Sequence, residues 1–401
     1  MIKKDSKPRL WPVSVFVFTL GALMISFPAY VSKGASEGLL SCINILLPSL
    51  FPFLVFSSFI IRSGLAEKLG KHAESFTQAV FRLPGCALPV IVTAMLGGYP
   101  VGARGIRILY CDKKLSESQA QRMALFCICA GPGFTVATIG EKLLGNRIFG
   151  IFLFLSQIIS ALAIGFISAR FAPRQAKRNI SETPQKCSLS FSSALVESVS
   201  DASKGIASLC AFVMLFDALL YLLDGIGILS AVADLFSALS FPEDVAVLLP
   251  VLFSEISRGI VSFISAPHFS PELLSFFVAF GGLCVHFQIF AAVGNLKMPF
   301  LRFYIFRFLH GFSSSLIFHI LLYFLPESIT DVFIPINPQL QLYTANSIPL
   351  TAALLMLCGI FIVFVENNRT ANNFPSKKLP VFDKICFLGG VFLLGLWYTV
   401  F

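Results

Sequence analysis

Nine apolar runs of about 17 residues or more limit what this chain can fold into more than any other feature does. They lie near residues 11–31, 39–61, 123–140, 148–169, 205–223, 273–294, 303–325, 348–365 and 385–401. A soluble core cannot hide them all. Of the 401 residues, 56% are hydrophobic and only 13% charged, against about a quarter charged in ordinary globular domains. Lipid has to cover the excess, and a helix is the element that satisfies its own backbone there. The expected fold is therefore an all-α, polytopic transmembrane protein, and the 44 phenylalanines suit a lipid-facing surface. The net charge of +9 does not indicate nucleic acid. Lys and Arg sit in short segments between apolar runs, which is the pattern of cytoplasmic loops. Leu10–Val31 follows Lys3, Lys4, Lys7 and Arg9 as a signal peptide would, but its length and Trp11 favour a retained span.

Two further apolar segments, near 86–110 and 245–265, are broken in the middle. The first carries Gly97-Gly98-Tyr99-Pro100-Val101-Gly102-Ala103-Arg104-Gly105, the second Ser254-Glu255-Ile256-Ser257-Arg258-Gly259. If both are hairpins that enter and leave on one side, the loops sort cleanly by charge. The N-terminal tail, loops 62–85 and 111–122, linker 170–190, Lys297, Arg302 and segment 369–384 fall inside, and the C-terminus outside. The outer segments 224–244, 266–272 and 326–347 contain no Lys or Arg, and only Lys33, Lys142 and Arg147 break the rule. If either segment crossed instead, every later loop would change sides.

The chain then divides into a tail with a first span (1–33), a first repeat (34–171, hairpin 86–111), a polar linker (172–194), a second repeat (195–325, hairpin 244–268) and C-terminal spans (326–401). Ala35-Ser36-Glu37-Gly38 echoes Ala202-Ser203-Lys204-Gly205, and Gly102 and Gly259 hold matching places in the hairpins. Each repeat also has a span broken by small residues, at Cys129-Ala130-Gly131-Pro132-Gly133 and at Gly281–His286. Two matching halves of opposite orientation are the plan of secondary transporters. Backbone exposed at hairpin tips and breaks is tolerated at membrane depth only where it is buried in protein or lines a cavity. Gly98 and Gly102 permit the turn and close approach there, and Pro100 stops a helix from running through. Helix ends aimed at such a cavity offer partial charge to a solute.

Several motifs carry a resemblance. Leu47-Pro48-Ser49-Leu50-Phe51-Pro52-Phe53, Gly98-Tyr99-Pro100-Val101-Gly102-Ala103-Arg104 and Phe126-Cys127 with Gly131-Pro132 stand in the first half. Glu255-Ile256-Ser257-Arg258-Gly259 and Gly281-Gly282-Leu283-Cys284-Val285-His286-Phe287-Gln288 stand in the second. Together these resemble the Gate-domain, or nucleoside recognition, membrane proteins over about residues 35–325. More narrowly, they resemble the YlbJ-type sporulation integral membrane proteins. That resemblance implies transport of dipicolinic acid in stage V of sporulation, out of the mother cell through the cell membrane that surrounds the forespore. The chain departs from the family pattern at Ile128-Cys129, where asparagines are usual, and at Ser257-Arg258, where Thr-Asn is usual. Loss of those amides weakens a nucleoside reading.

The candidate substrate-binding residues are Gly98, Tyr99, Gly102, Arg104, Gly131, Glu255, Ser257, Arg258, Gly259, His286 and Gln288. An arginine in the bilayer costs at least about 2.5–3.5 kcal/mol unless paired or hydrated. Arg104 and Arg258 therefore either hold a carboxylate each through their two-pronged donors, or snorkel, or pair with Glu255. Glu255 is either an arginine partner or a proton or cation site. His286 is either a titrating donor or a satisfied core histidine. Asp217, mid-span, calls for a partner such as Lys204 or Arg307. The ten cysteines show no metal spacing, and Cys127-x-Cys129 reads as packing. No nucleotide loop, metalloprotease motif or nucleophile elbow appears, so the expectation is neither an enzyme nor a cofactor protein. The expected partners are a small anionic solute and the lipid bilayer, with no nucleic acid and no oligomeric state specified. A membrane scaffold for spore maturation and a nucleoside or other organic-acid carrier are the alternatives.

Overall fold

The computed structural model describes residues 10–172 and 190–324. The expected spans 348–365 and 385–401, segment 326–347 and most of linker 172–194 lie outside the described residues. Among the described residues every regular element is helical. Five helices are long and apolar enough to cross a membrane: Pro28–Arg62, Arg147–Arg170, Phe191–Gly225, Pro271–Val293 and Phe300–Tyr323. The chain is an all-α polytopic membrane protein.

The first half begins with α1 (Leu10–Ser26) and a one-residue break at Phe27 before Pro28. α2 (Pro28–Ser41), a π-helical turn (Cys42–Leu46) and α3 (Leu47–Arg62) then form one continuous rod. The widened turn has a local cause. Pro48 has no N–H for the carbonyl four residues back, and its ring pushes that carbonyl aside. This rod corrects an expectation, because residues 32–38 are not a loop between two spans. Gly34 and Gly38 are spaced as a small-x-x-x-small pair, and a Cβ at either would run into Asp217, Ala218 or Met214. The polar residues between them stay helical because that face is packed against protein.

An amphipathic α4 (Leu65–Phe81) leads to hairpin 1, made of α5 (Ala87–Gly97) and α6 (Tyr99–Cys111). A short α7 (Glu117–Met123) closed by a Ser116–Gln119 capping box follows. The chain then runs without helix through 127–131, which we call break 1, into a π-helical stretch (Gly133–Leu143) and α8 (Arg147–Arg170).

The second half repeats this order. α9 (Phe191–Gly225) is another long rod, of 35 residues, and α10 (Ile228–Ala238) another short helix. Hairpin 2 is α11 (Glu243–Ser254) and α12 (Ile256–Ile264). α13 (Pro271–Phe280) and α14 (Gly282–Val293) are two halves of a helix broken at Gly281, break 2, and α15 (Phe300–Tyr323) matches α8 at 24 residues. Boundaries differ from expectation in places: α9 already starts at Phe191, inside the expected linker, and α4, α7 and α10 occupy expected loops. At about 52 Å each, the two rods exceed the hydrocarbon thickness.

The α2–α3 rod lies along α9, while α15 packs on α8 and α13, and α6 on α14. Polar side chains join these surfaces where no water competes. Ser156, Ser275 and Ser314 form a buried hydroxyl triangle with sides of 3.4, 3.2 and 3.1 Å linking α8, α13 and α15. Arg62 at the end of α3 pairs with Glu197 and Asp201 of α9. Two of the three basic residues that broke the charge rule have local partners. Arg147 Nε is 3.3 Å from Glu141, and Lys33 stands over the Tyr221 ring.

Candidate functional site

Each hairpin turns where its sequence lets it. Gly98 sits at φ +86°, a conformation that a side chain disfavours, and it ends α5 and starts α6 in a single residue. Tip 2 turns at Glu255, which is extended and caps α12. Its carboxylate accepts the backbone N–H of Arg258 at 2.7 Å. A carboxylate at that helix end is favoured by the helix dipole. α6 has no side-chain cap.

The breaks lie against the tips, backbone to backbone. A Cβ on Gly131 would stand 3.0 Å from the Gly98 amide nitrogen and 2.9 Å from the Leu96 carbonyl. A Cβ on Gly102 would collide with the Cys127 carbonyl oxygen. In the second half, a Cβ on Gly282 would stand 3.3 Å from the carbonyl oxygens of both Leu252 and Ser254 beside tip 2, a looser approach. Tyr99 crosses between the halves, its hydroxyl donating to the Val278 carbonyl at the end of α13.

Where these parts meet there is a small cavity of about 30 Å³, room for roughly two waters. Gly98, Tyr99 and Pro100 of tip 1, Glu255 and Ser257 of tip 2, Gly131 of break 1 and Gln288 of α14 line it. Leu46, Leu50, Leu209 and Val213 of the rods close its side. Six of the eleven sequence candidates thus share one cavity: Gly98, Tyr99, Gly131, Glu255, Ser257 and Gln288. The uncapped positive end of α6 opens on it.

The other five lie outside the lining. Gly102 and Gly259 are helix-packing positions, against Cys127 and Leu252. The Arg104 guanidinium donates to the Asp201 carbonyl at 2.6 Å and lies on Gly205, so it ties hairpin 1 to α9. Arg258 is stacked over Tyr221, its guanidinium carbon 4.0 Å from the ring centre. His286 is buried, with Nε2 2.8 Å from the Phe280 carbonyl and its ring against Phe280, Phe303 and Tyr304. It holds break 2 closed from inside.

One buried residue beside the breaks enters the sequence reading only as a possible partner of Asp217. Arg307 of α15 is completely buried and donates to the Ile128 carbonyl at 2.7 Å and the Leu125 carbonyl at 3.1 Å, with Ala279 O at 3.5 Å. A single cation therefore caps the carbonyl ends of both broken helices, where the dipoles are negative. It does not pair with Asp217, which corrects that expectation, and among the described residues no hydrogen bond joins Asp217 to Lys204 either. Among the described residues no group of three or more His, Cys, Asp or Glu is placed to hold a metal.

Paired long rods, paired hairpins and paired broken helices define a polytopic helical membrane protein whose two hairpin tips meet at a small, mostly apolar cavity. The chain is 27% identical over 170 residues to the sporulation integral membrane protein YlbJ of Bacillus subtilis (strain 168), a match covering 42% of this chain and 42% of that relative. The similarity supports the YlbJ-type resemblance read from the motifs. No family model and no solved structure matches the chain.

Proposed function

We propose that the protein is a secondary carrier that moves a small organic anion across the cell membrane, with dipicolinate as the solute and the sporulating mother cell as its setting. The observation that carries this reading is the cavity walled by both hairpin tips, with the uncapped end of α6 opening on it. The positive end of a helix dipole favours a carboxylate. The repeated order of elements in the two halves fits the inverted-repeat plan, in which one half rocks against the other around a shared site. At about 30 Å³ the cavity is too small for a ring bearing two carboxylates. The described arrangement is then a closed state, and the tips part to load. The Gate-domain assignment rests on the motif resemblance alone, and the sporulation setting on that resemblance and on the similarity to YlbJ.

Such a carrier needs no nucleotide. An inside-negative membrane favours outward movement of a dianion by roughly 4.6 kcal/mol at 100 mV, at about 2.3 per charge. That sustains a gradient of more than about a thousandfold. The reading is tested by the dipicolinate content of spores from a deletion strain, together with thermal stabilisation of the purified protein by dipicolinate. Spores poor in dipicolinate and a melting temperature that rises with the ligand support it. Normal spores and an unmoved melting temperature contradict it, and favour a scaffold.

A further inference from the structure

Beside the cavity, α2, α9 and hairpin 2 enclose a set of charges that solute binding leaves unused. Asp217 of α9 is 0% exposed, and among the described residues neither of its carboxylate oxygens has a hydrogen-bond partner. A Cβ on Gly38 of α2 would stand 3.0 Å from Asp217 Oδ2, so the helix crossing itself seals the carboxyl group. Glu37 of α2 and Glu255 and Arg258 of hairpin 2 lie within electrostatic reach of it, as does Cys284 of α14. Arg258 arrives stacked on Tyr221. Tyr221 is one helical turn beyond Asp217 on the same face of α9. The Arg258 Nη1 is itself buried and without a partner among the described residues. Lys33 of α2 reaches the same ring at 5.5 Å, and Asp224, further along α9, is exposed.

These charges do not balance. Asp217, Glu37 and Glu255 are three acids, with Arg258 and the exposed Lys33, both over Tyr221, as the neighbouring cations. Glu255 has the amide of Arg258, and Glu37 is only half-buried. Asp217 alone is sealed and without a hydrogen bond, the condition under which a carboxylate is most costly to keep charged. A proton removes that cost and the excess charge together.

We infer that Asp217 is a proton-binding site and that Arg258 is its partner in the ionised state. With Asp217 protonated, Arg258 remains on Tyr221, next in sequence to the cavity residue Ser257. With Asp217 ionised, the guanidinium is drawn from the ring toward it, and one more negative charge stands near the cavity that Glu255 lines, which opposes an anion there. The consequence for transport, unlike the proton site itself, rests on the carrier reading: protonation and anion binding reinforce each other by the same factor in both directions.

Infrared difference spectra of the purified full-length protein across a pH titration test the site. The expected result is a protonated carboxylic acid band that titrates in the wild type, is lost in Asp217→Asn and shifts in Asp217→Glu. A band that survives unchanged in both variants, or no such band at any pH, overturns the inference. So does a band that sodium removes at fixed pH, which would mark a cation site. Dipicolinate binding followed by thermal shift tests the consequence. Wild-type affinity should fall as pH rises, and Asp217→Asn should bind with no pH dependence. Pronounced pH dependence persisting in Asp217→Asn overturns the coupling. Failure of the wild type to bind at any pH counts against the carrier reading, while the infrared result still decides the proton site.

Discussion

Gly102 has no room for any side chain, because the Cys127 carbonyl of break 1 occupies the place of its Cβ. Gly102→Leu should force tip 1 away from break 1 and abolish transport, while the protein still inserts into membranes. Transport at normal protein levels would show that this contact is dispensable. Gly98 differs, since its neighbours leave some space and its constraint is the positive φ. Gly98→Ala should cost about 1–3 kcal/mol, because φ +86° with ψ −178° is a conformation essentially confined to glycine, and the cost is read as a lower melting temperature of the purified protein. Arg307→Ala leaves the carbonyls of Leu125 and Ile128 without their donor. At roughly 1–3 kcal/mol per orphaned group, it should destabilise by about 2–6 kcal/mol in the same melts, with Arg307→Lys between it and the wild type. Glycines and prolines marked tip 1 and both breaks in the sequence, whereas tip 2 turns at Glu255. The role of Arg307 could not be read that way. Its acceptors are backbone atoms 179 and 182 positions away, and a carbonyl has no letter in a sequence.

At the scale of elements, the two hairpins and two broken helices were legible, whereas the long rods were not. Ser36, Glu37 and Lys33 look like loop residues, and they are helical only because α9 covers the face that carries Gly34 and Gly38. The four-residue spacing of those glycines is the one signal that could have revealed it. The helix order also shows how the halves communicate. Tyr99 ties tip 1 to the end of α13, so opening the cavity at tip 1 has to disturb break 2. Tyr99→Phe should weaken that tie by about 0.5–1.5 kcal/mol. Hydrogen exchange should then speed up at residues 99–102 and 278–282 while α8 stays unchanged. Equal exchange in wild type and variant would show that the two elements are not coupled.

For the molecule as a whole, the charge rule sets the sidedness on which an inverted-repeat carrier depends. Single cysteines at Ser116 and Ser240, in a background without the native cysteines, should separate in intact cells. A membrane-impermeant thiol reagent is expected to label position 240 and not 116. The reverse pattern, or both labelled, would overturn the topology. The candidate site was about half legible: the tip and break residues converge on the cavity, while Arg104 turns to Asp201 and Arg258 to Tyr221. A sequence shows that an arginine is costly at membrane depth, but its length lets it reach partners on another helix.

Dipicolinate flux in liposomes containing only this protein tests the central claim most directly. The account predicts efflux that saturates with dipicolinate, needs no nucleotide and rises when an inside-negative potential is imposed. Efflux no faster than from protein-free liposomes, at any potential, would contradict it.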